Sequence, residues 1–364
     1  MLTKRQLRGI DQPLLWAALA LLGFGLLALY SAAFQKSQMV GISYLTRQIT
    51  WAGIGILLAA LLVTVDYHRW LEGAYLLYGI NVLMLLFVLV LGVVRGGAQR
   101  WLSIGGFTIQ PSEFAKITTC LALARYFGSR REMPDWKAIL GAAAFIAVPM
   151  VLILKEPNLG TASVFVPIFF SMLLVWGIRL KILGILLGGA AACVPFAWWR
   201  LADYQRSRLL VFLNPNLDPM GAGYTVIQSK IAMGSGGFWG KGWLAGTQNQ
   251  LNFLPERHTD FIFSVVGEEW GFFGVTLCLA LFALLFYRAV LIATQTRDPY
   301  GRLLVIGLVA MLAVHLVVNI GMTMGLMPVV GLPLPLFSYG GSWLLTCLVA
   351  IGIILSVGVR RPVF

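Results

Sequence analysis

The chain is a succession of apolar runs, most of them close to 20 residues long, separated by short polar stretches. A run of that length crosses a hydrocarbon layer of ~30 Å as an α-helix. The pattern predicts ten helices, at 13–33, 49–66, 73–94, 112–127, 138–154, 161–178, 181–199, 261–287, 303–327 and 340–357. Two polar inserts interrupt the series, a small one from Arg95 to Gln110 and a long one over about 200–260. No internal repeat is evident, so the inverted symmetry common among secondary transporters is not visible. The expectation is one all-α, polytopic membrane domain over 1–364, with the long insert as an extracytoplasmic loop.

Composition agrees. The chain is 59% hydrophobic and 11% charged, where soluble domains carry roughly a quarter charged residues. A net charge of +13 invites a nucleic-acid reading, but the placement of the charge argues for membrane orientation instead. With Lys4, Arg5 and Arg8 ahead of the first span, 15 basic residues fall on the inner side and six in the short outer loops and adjoining span ends. That bias puts both termini in the cytoplasm and the inserts outside. The remaining six, Arg200, Arg206, Arg208, Lys230, Lys241 and Arg257, lie in the long loop, where the rule is weak. Cys120, Cys193, Cys278 and Cys347 all fall within apolar spans and read as buried hydrophobes. Ser31-Ala32-Ala33 faintly resembles a signal-peptidase site, but the long apolar run before it favours an uncleaved anchor.

Ionisable groups in or beside spans are costly and are the first candidates for function. Glu113 and Lys116, at i and i+3, share a helix face at the outer start of the fourth helix, either as a functional pair or as a snorkelling anchor. Asn158 or Thr161, in Glu156-Pro157-Asn158-Leu159-Gly160-Thr161, can cap the sixth helix. The run Gly234 to Gly242 fails the P-loop pattern, yet its amides could cradle an anion flanked by Lys230 and Lys241, or form a plain loop. The densest cluster is Glu256, Arg257, His258 and Asp260, which leads into an apolar helix that carries Glu268 and Glu269 deeper down. A carboxylate at that rim tends toward a raised pKa, with Arg257 and Lys116 pulling it back, a balance suited to a general base. The competing reading of Asp260 is a helix N-cap.

These residues fall in stretches that resemble the shape, elongation, division and sporulation (SEDS) family, membrane proteins that polymerise peptidoglycan. The stretches are Arg100-Trp101, Gln110 to Glu113, Pro157 to Thr161, Gln228 to Ala232, Gly240 to Trp243, Leu254 to Phe263, Gly267 to Glu269 and Pro335 to Ser342. Gly246 to Leu251 and Arg257 look like the elongation branch of that family. The chain departs from the pattern at Asn158, where the family usually has aspartate, which leaves Glu156 as a substitute or the position as structural.

The resemblance implies glycosyl transfer on lipid II and undecaprenyl-linked glycan at the bacterial inner membrane. Asp260 would be the base, with Arg100, Lys116, Lys230 and Lys241 offsetting pyrophosphate charge; Glu113, Glu256 and His258 join them as substrate-site candidates. It also implies a class B penicillin-binding protein, a transpeptidase, as partner. A divalent cation (Mg or Mn) has room to assist, with no clear metal ligand set in the sequence. The alternatives are a lipid II flippase, which needs polar groups along a whole path across the membrane, and a non-catalytic scaffold for the transpeptidase.

Overall fold

The computed structural model describes residues 9–34, 38–95, 98–104, 107–130, 135–200, 203–214, 217–218 and 221–361. The chain opens with α1 (Gln12–Ala33), α2 (Gln38–Thr64), α3 (Tyr67–Glu72) and α4 (Ala74–Leu91). A small antiparallel sheet follows, β1 (Val93–Arg95), β2 (Ala98–Ile104) and β3 (Phe107–Ile109), in the order β1-β2-β3. Next come α5 (Pro111–Gly128), α6 (Trp136–Lys155), α7 (Leu159–Trp176) and α8 (Leu180–Arg200). The long insert holds α9 (Asp203–Leu213), α10 (Ala222–Ser235) and α11 (Thr247–Gln250). The chain closes with α12 (Ile262–Gln295), α13 (Pro299–Thr323) and α14 (Gly341–Arg360).

The starts of several helices are written in the sequence. Asp11, Asp66, Asp135, Asn158 and Asp298 each accept a backbone N–H two or three residues on, capping α1, α3, α6, α7 and α13. Among the described residues eight helices are long and apolar enough to cross a membrane: α1, α2, α4, α6, α7, α12, α13 and α14. The other two expected spans, fourth and seventh, are present as α5 and α8 but fall short of that measure. In α5 Glu113 and Lys116 break the apolar run, and in α8 only Leu180–Ala192 falls among the described residues that this measure covers.

Four features differ from the expected pattern. α2 starts at Gln38 and not at 49, so the helix begins about three turns before the apolar run. The 95–110 insert is a β-sheet, and most of the 200–260 insert is helical. α12 bends at Gly271, whose φ of +60° suits glycine, and a Cβ there would lie 2.3 Å from the Gly240 nitrogen. The bend frees backbone groups, and the glycine-rich run satisfies them. Lys241 and Gly242 donate their amides to the carbonyls of Glu268 and Glu269, while Phe272 and Phe273 donate theirs to Gly237 and Phe238. These contacts make the run a clasp on the bend and correct the anion-cradle alternative.

α14 is buried almost throughout and forms the centre of the bundle, packed along α2. α12 packs on α1, and α13 packs on α5, α7 and α12. At one end of these helices the chain between α13 and α14 folds back without regular structure. That segment and the end of the 200–260 insert enclose the site.

Candidate active site

A cavity of ≈ 1080 Å³ lies between the start of α2, strand β2, the starts of α5 and α7, α9, and the 328–333 and 339–343 segments. Asp260 is on its wall, half-buried. The segment before α12 places it there. Glu256 adopts φ +48°, and its carbonyl accepts the amides of Thr259, Asp260 and Phe261. Asn319 of α13 donates to the Asp260 carbonyl at 2.9 Å, and Ser338 donates to the Thr259 carbonyl at 2.5 Å. Gln48 of α2 in turn donates to the Ser338 carbonyl at 3.1 Å. Three elements distant in sequence thereby fix one backbone.

The side chain is left open. α12 has Phe261 at its N-cap, without a side-chain cap bond, so Asp260 does not cap the helix. Across from it the chain passes through Gly331, at φ +72°, where a Cβ would lie 3.3 Å from Asp260 Oδ2. Burial pushes the Asp260 pKa up to about 6; the nearby Glu256 charge adds to the rise and Arg208 opposes it. The opposing cation is therefore Arg208, and the sequence expectation of Arg257 and Lys116 is corrected. Arg257 is buried and turned to backbone, donating to the carbonyls of Ala32 and Asn249 at 2.7 and 2.6 Å. Lys116 is held elsewhere.

Lys116 is fully buried in α5. Its ammonium lies 2.7 Å from Glu113 Oε2, 2.9 Å from His315 Nε2 and 4.3 Å from the Trp343 ring centre. His315 Nδ1 faces the Pro333 carbonyl at 3.1 Å, so Nδ1 carries the proton and Nε2 accepts from Lys116. Glu113 reaches the cavity wall, whereas Lys116 stands behind it. A buried pair with three partners for the cation is more than a snorkelling anchor.

The other sequence candidates divide. Arg100, on β2, lines the cavity and is braced by the Glu156 and Pro157 carbonyls. His258 lines it too, its ring 5.1 Å from that of Tyr44. Glu256 is exposed and acts on Asp260 by charge. Lys230 lies outside the lining, its side chain packed over Gly325 just past α13. Lys241 is also outside, 2.9 Å from Glu268 Oε1 in the clasp. Glu268 accepts as well from the Gln248 and Asn249 amides, and Glu269 from Ser31 and Asn249. These two acids hold the scaffold together.

Sequence reasoning passed over Arg47 and Tyr44, which the extension of α2 carries into the wall, and gave Arg208 no role. The apolar-run criterion reads such residues as loop; an arginine beside an aromatic just above a span was the available signal. Among the described residues no three His, Cys, Asp or Glu side chains converge as a metal site. The described residues thus do not by themselves make a holder for Mg or Mn. Cys120, Cys278 and Cys347 are buried and unpaired; Cys193 lies in α8, where its side chain is outside the described residues.

Comparison with known proteins gives one consistent answer. The family described as cell cycle protein (FtsW, RodA, SpoVE) matches residues 12–362. The peptidoglycan glycosyltransferase MrdB of Escherichia coli K12 is 40% identical over 353 residues, covering 97% of this chain and 94% of that one. A solved chain from a peptidoglycan synthase complex, in work on the coordination of polymerization and crosslinking, superposes with a TM-score of 0.82 at 39% identity, covering 96% and 97%. The crystal structure of the rod shape determining protein RodA of Thermus thermophilus superposes with a TM-score of 0.72 at 34% identity, covering 97% of each chain.

Proposed function

The chain belongs to the FtsW, RodA and SpoVE family of cell cycle proteins, and on that footing we propose that it is a peptidoglycan glycosyltransferase of cell-wall elongation. Its substrate is lipid II, as donor and as acceptor. The 4-hydroxyl of an acceptor N-acetylglucosamine attacks the anomeric carbon of the N-acetylmuramic acid on the lipid-linked donor. The new C–O bond forms as the bond to phosphate breaks. The hydroxyl proton passes to Asp260, and the bonding pair leaves with undecaprenyl pyrophosphate. An α-linked donor becomes a β-1,4 linkage by one inversion, which needs one base.

The observation that carries this reading is the state of Asp260. Among the described residues five Asp or Asn side chains cap helices, but Asp260, one position before the N-cap residue Phe261, keeps its carboxylate facing a cavity. Burial tunes it toward about 6, so at neutral pH it is ionised and still basic enough to take a proton. Arg47, Arg100 and Arg208 on the same cavity wall supply positive charge for a pyrophosphate leaving group. Lys116 supports Glu113 from behind, Lys241 serves the scaffold through Glu268, and Lys230 lies outside the cavity lining.

A class B penicillin-binding protein is the partner in this reading, with the chain in the bacterial inner membrane and both termini in the cytoplasm. The test is glycan synthesis from labelled lipid II by the purified protein with its cognate transpeptidase. Asp260→Asn is expected to cut the rate by ~10² to 10⁴ while still binding the partner. Near-parental synthesis by that variant would remove Asp260 as base.

A further inference from the structure

One buried carboxylate is left without any hydrogen-bond donor. Glu156, the C-cap residue of α6, is 1% exposed, and neither of its carboxyl oxygens has a hydrogen-bond partner. Each of the other buried acids among the described residues has at least one donor, and of these only Glu269 leaves a buried oxygen, Oε2, without a partner. Asp11 takes Arg288, Arg361 and the Leu14 amide, Glu113 takes Lys116, and Glu268 and Glu269 take the clasp donors. A buried acid without donors is unstable as an anion and persists as the neutral form. Burial pushes the Glu156 pKa up to about 8, and the one charged side chain acting against that rise is Arg100. Lys155, the next residue along, is exposed.

Arg100 has two attachments. It lines the cavity, and its Nε donates at 3.0 Å to the carbonyl of Glu156 itself, with Nη2 donating to Pro157. The turn that carries the acid therefore holds the guanidinium. Asn158, two residues on, is occupied in capping α7 through Thr161 N and supplies no charge.

We propose that Glu156 is a proton-controlled positioning residue: as the neutral acid it leaves the charge of Arg100 to the pyrophosphate of a polyprenyl-linked sugar, and as the carboxylate it draws that charge to itself and weakens binding. The proposal rests on the cavity of the preceding section being the site of a pyrophosphate-linked substrate. The proton is exchanged with water and no covalent bond changes. By linkage a bound pyrophosphate stabilises the proton on Glu156 by the same free energy, so a tenfold loss of affinity corresponds to one pKa unit.

The experiment is equilibrium binding of undecaprenyl pyrophosphate to the full-length protein in lipid nanodiscs, followed by tryptophan fluorescence at about pH 7 and about pH 9. The unaltered protein is expected to bind about tenfold more weakly at the higher pH. In Glu156→Gln that ratio should fall close to one, and the variant also reports the ligand's own titration. Glu156→Met, apolar and of similar length, makes the same prediction if the glutamine variant does not fold. During turnover of lipid II the effect should appear in KM, with kcat unmoved. A flat response in the unaltered protein, or an equal loss in the variants, overturns the proposal. Binding requires no turnover, so the two readings fail separately. A protein that shows this pH response but makes no glycan sinks the polymerase reading alone; one that makes glycan with a flat response sinks only the role of Glu156.

Discussion

At the scale of single residues, the two charges nearest Asp260 make opposite predictions. In the proposed role of base it acts when ionised, so the rate should be lost as pH falls through its pKa of about 6. Arg208 lowers that pKa, and Arg208→Gln should move the acid limb of the rate profile to higher pH. Glu256 raises it, and Glu256→Gln should move the limb to lower pH. Both side chains are exposed, so each displacement should stay below about one pH unit and shrink as salt is added. The check is the pH dependence of glycan synthesis at two ionic strengths, and limbs that move together would sink the assignment. The candidacy of Asp260 was legible in the sequence, since it ends a dense run of titratable residues that leads straight into an apolar helix. Its neighbours were not: Arg208 arrives from α9, more than fifty positions earlier, whereas the adjacent Arg257 turns its guanidinium to the backbone of Ala32 and Asn249.

At the scale of elements, α5 is the helix whose polarity cost it membrane-span status. Lys116→Met leaves Glu113 as an uncompensated buried charge, a change that typically costs about 3–5 kcal/mol. The expected result is a clearly lower thermal midpoint in detergent. Pairing it with Glu113→Gln should recover much of that loss, because no lone charge is left. Glycan synthesis should stay low in the double variant, since Glu113 reaches the cavity. Full activity there would reduce the pair to a structural one. The i, i+3 spacing of this pair could be read directly from the sequence, because it depends only on helix geometry. His315 and Trp343 could not, as they come from α13 and α14. The glycine-rich run misled for a related reason. Its composition announces exposed amides, but the carbonyls that take them belong to a bend in α12 that only the assembled helices reveal.

At the scale of the molecule, the series of spans was the most legible part, because hydrocarbon imposes length and apolarity on each helix independently. The site was less so, since its wall is drawn from elements spread over nearly the whole chain. Orientation gives a direct test. The positive-inside bias predicts that the segment between α9 and α10 lies outside. Leu217→Cys, in a background with the native cysteines replaced, should therefore react with a membrane-impermeant thiol reagent in intact spheroplasts. Reaction only after lysis would invert the molecule and the face on which glycan is made.

The bond from Asn319 to the Asp260 backbone has a consequence for depth. Asn319 stands twenty residues along α13 from Pro299, about 30 Å at ~1.5 Å per residue. That is close to the thickness of the hydrocarbon itself. On the proposed reading, α13 is a ruler that sets Asp260 level with the lipid headgroups, where the phosphates of a polyprenyl carrier also ride. Reaction height becomes a matter of hydrophobic match. In bilayers of graded acyl length, glycan synthesis should peak where hydrocarbon and ruler agree and decline in thicker ones, as the carrier's phosphates rise past a base that cannot follow.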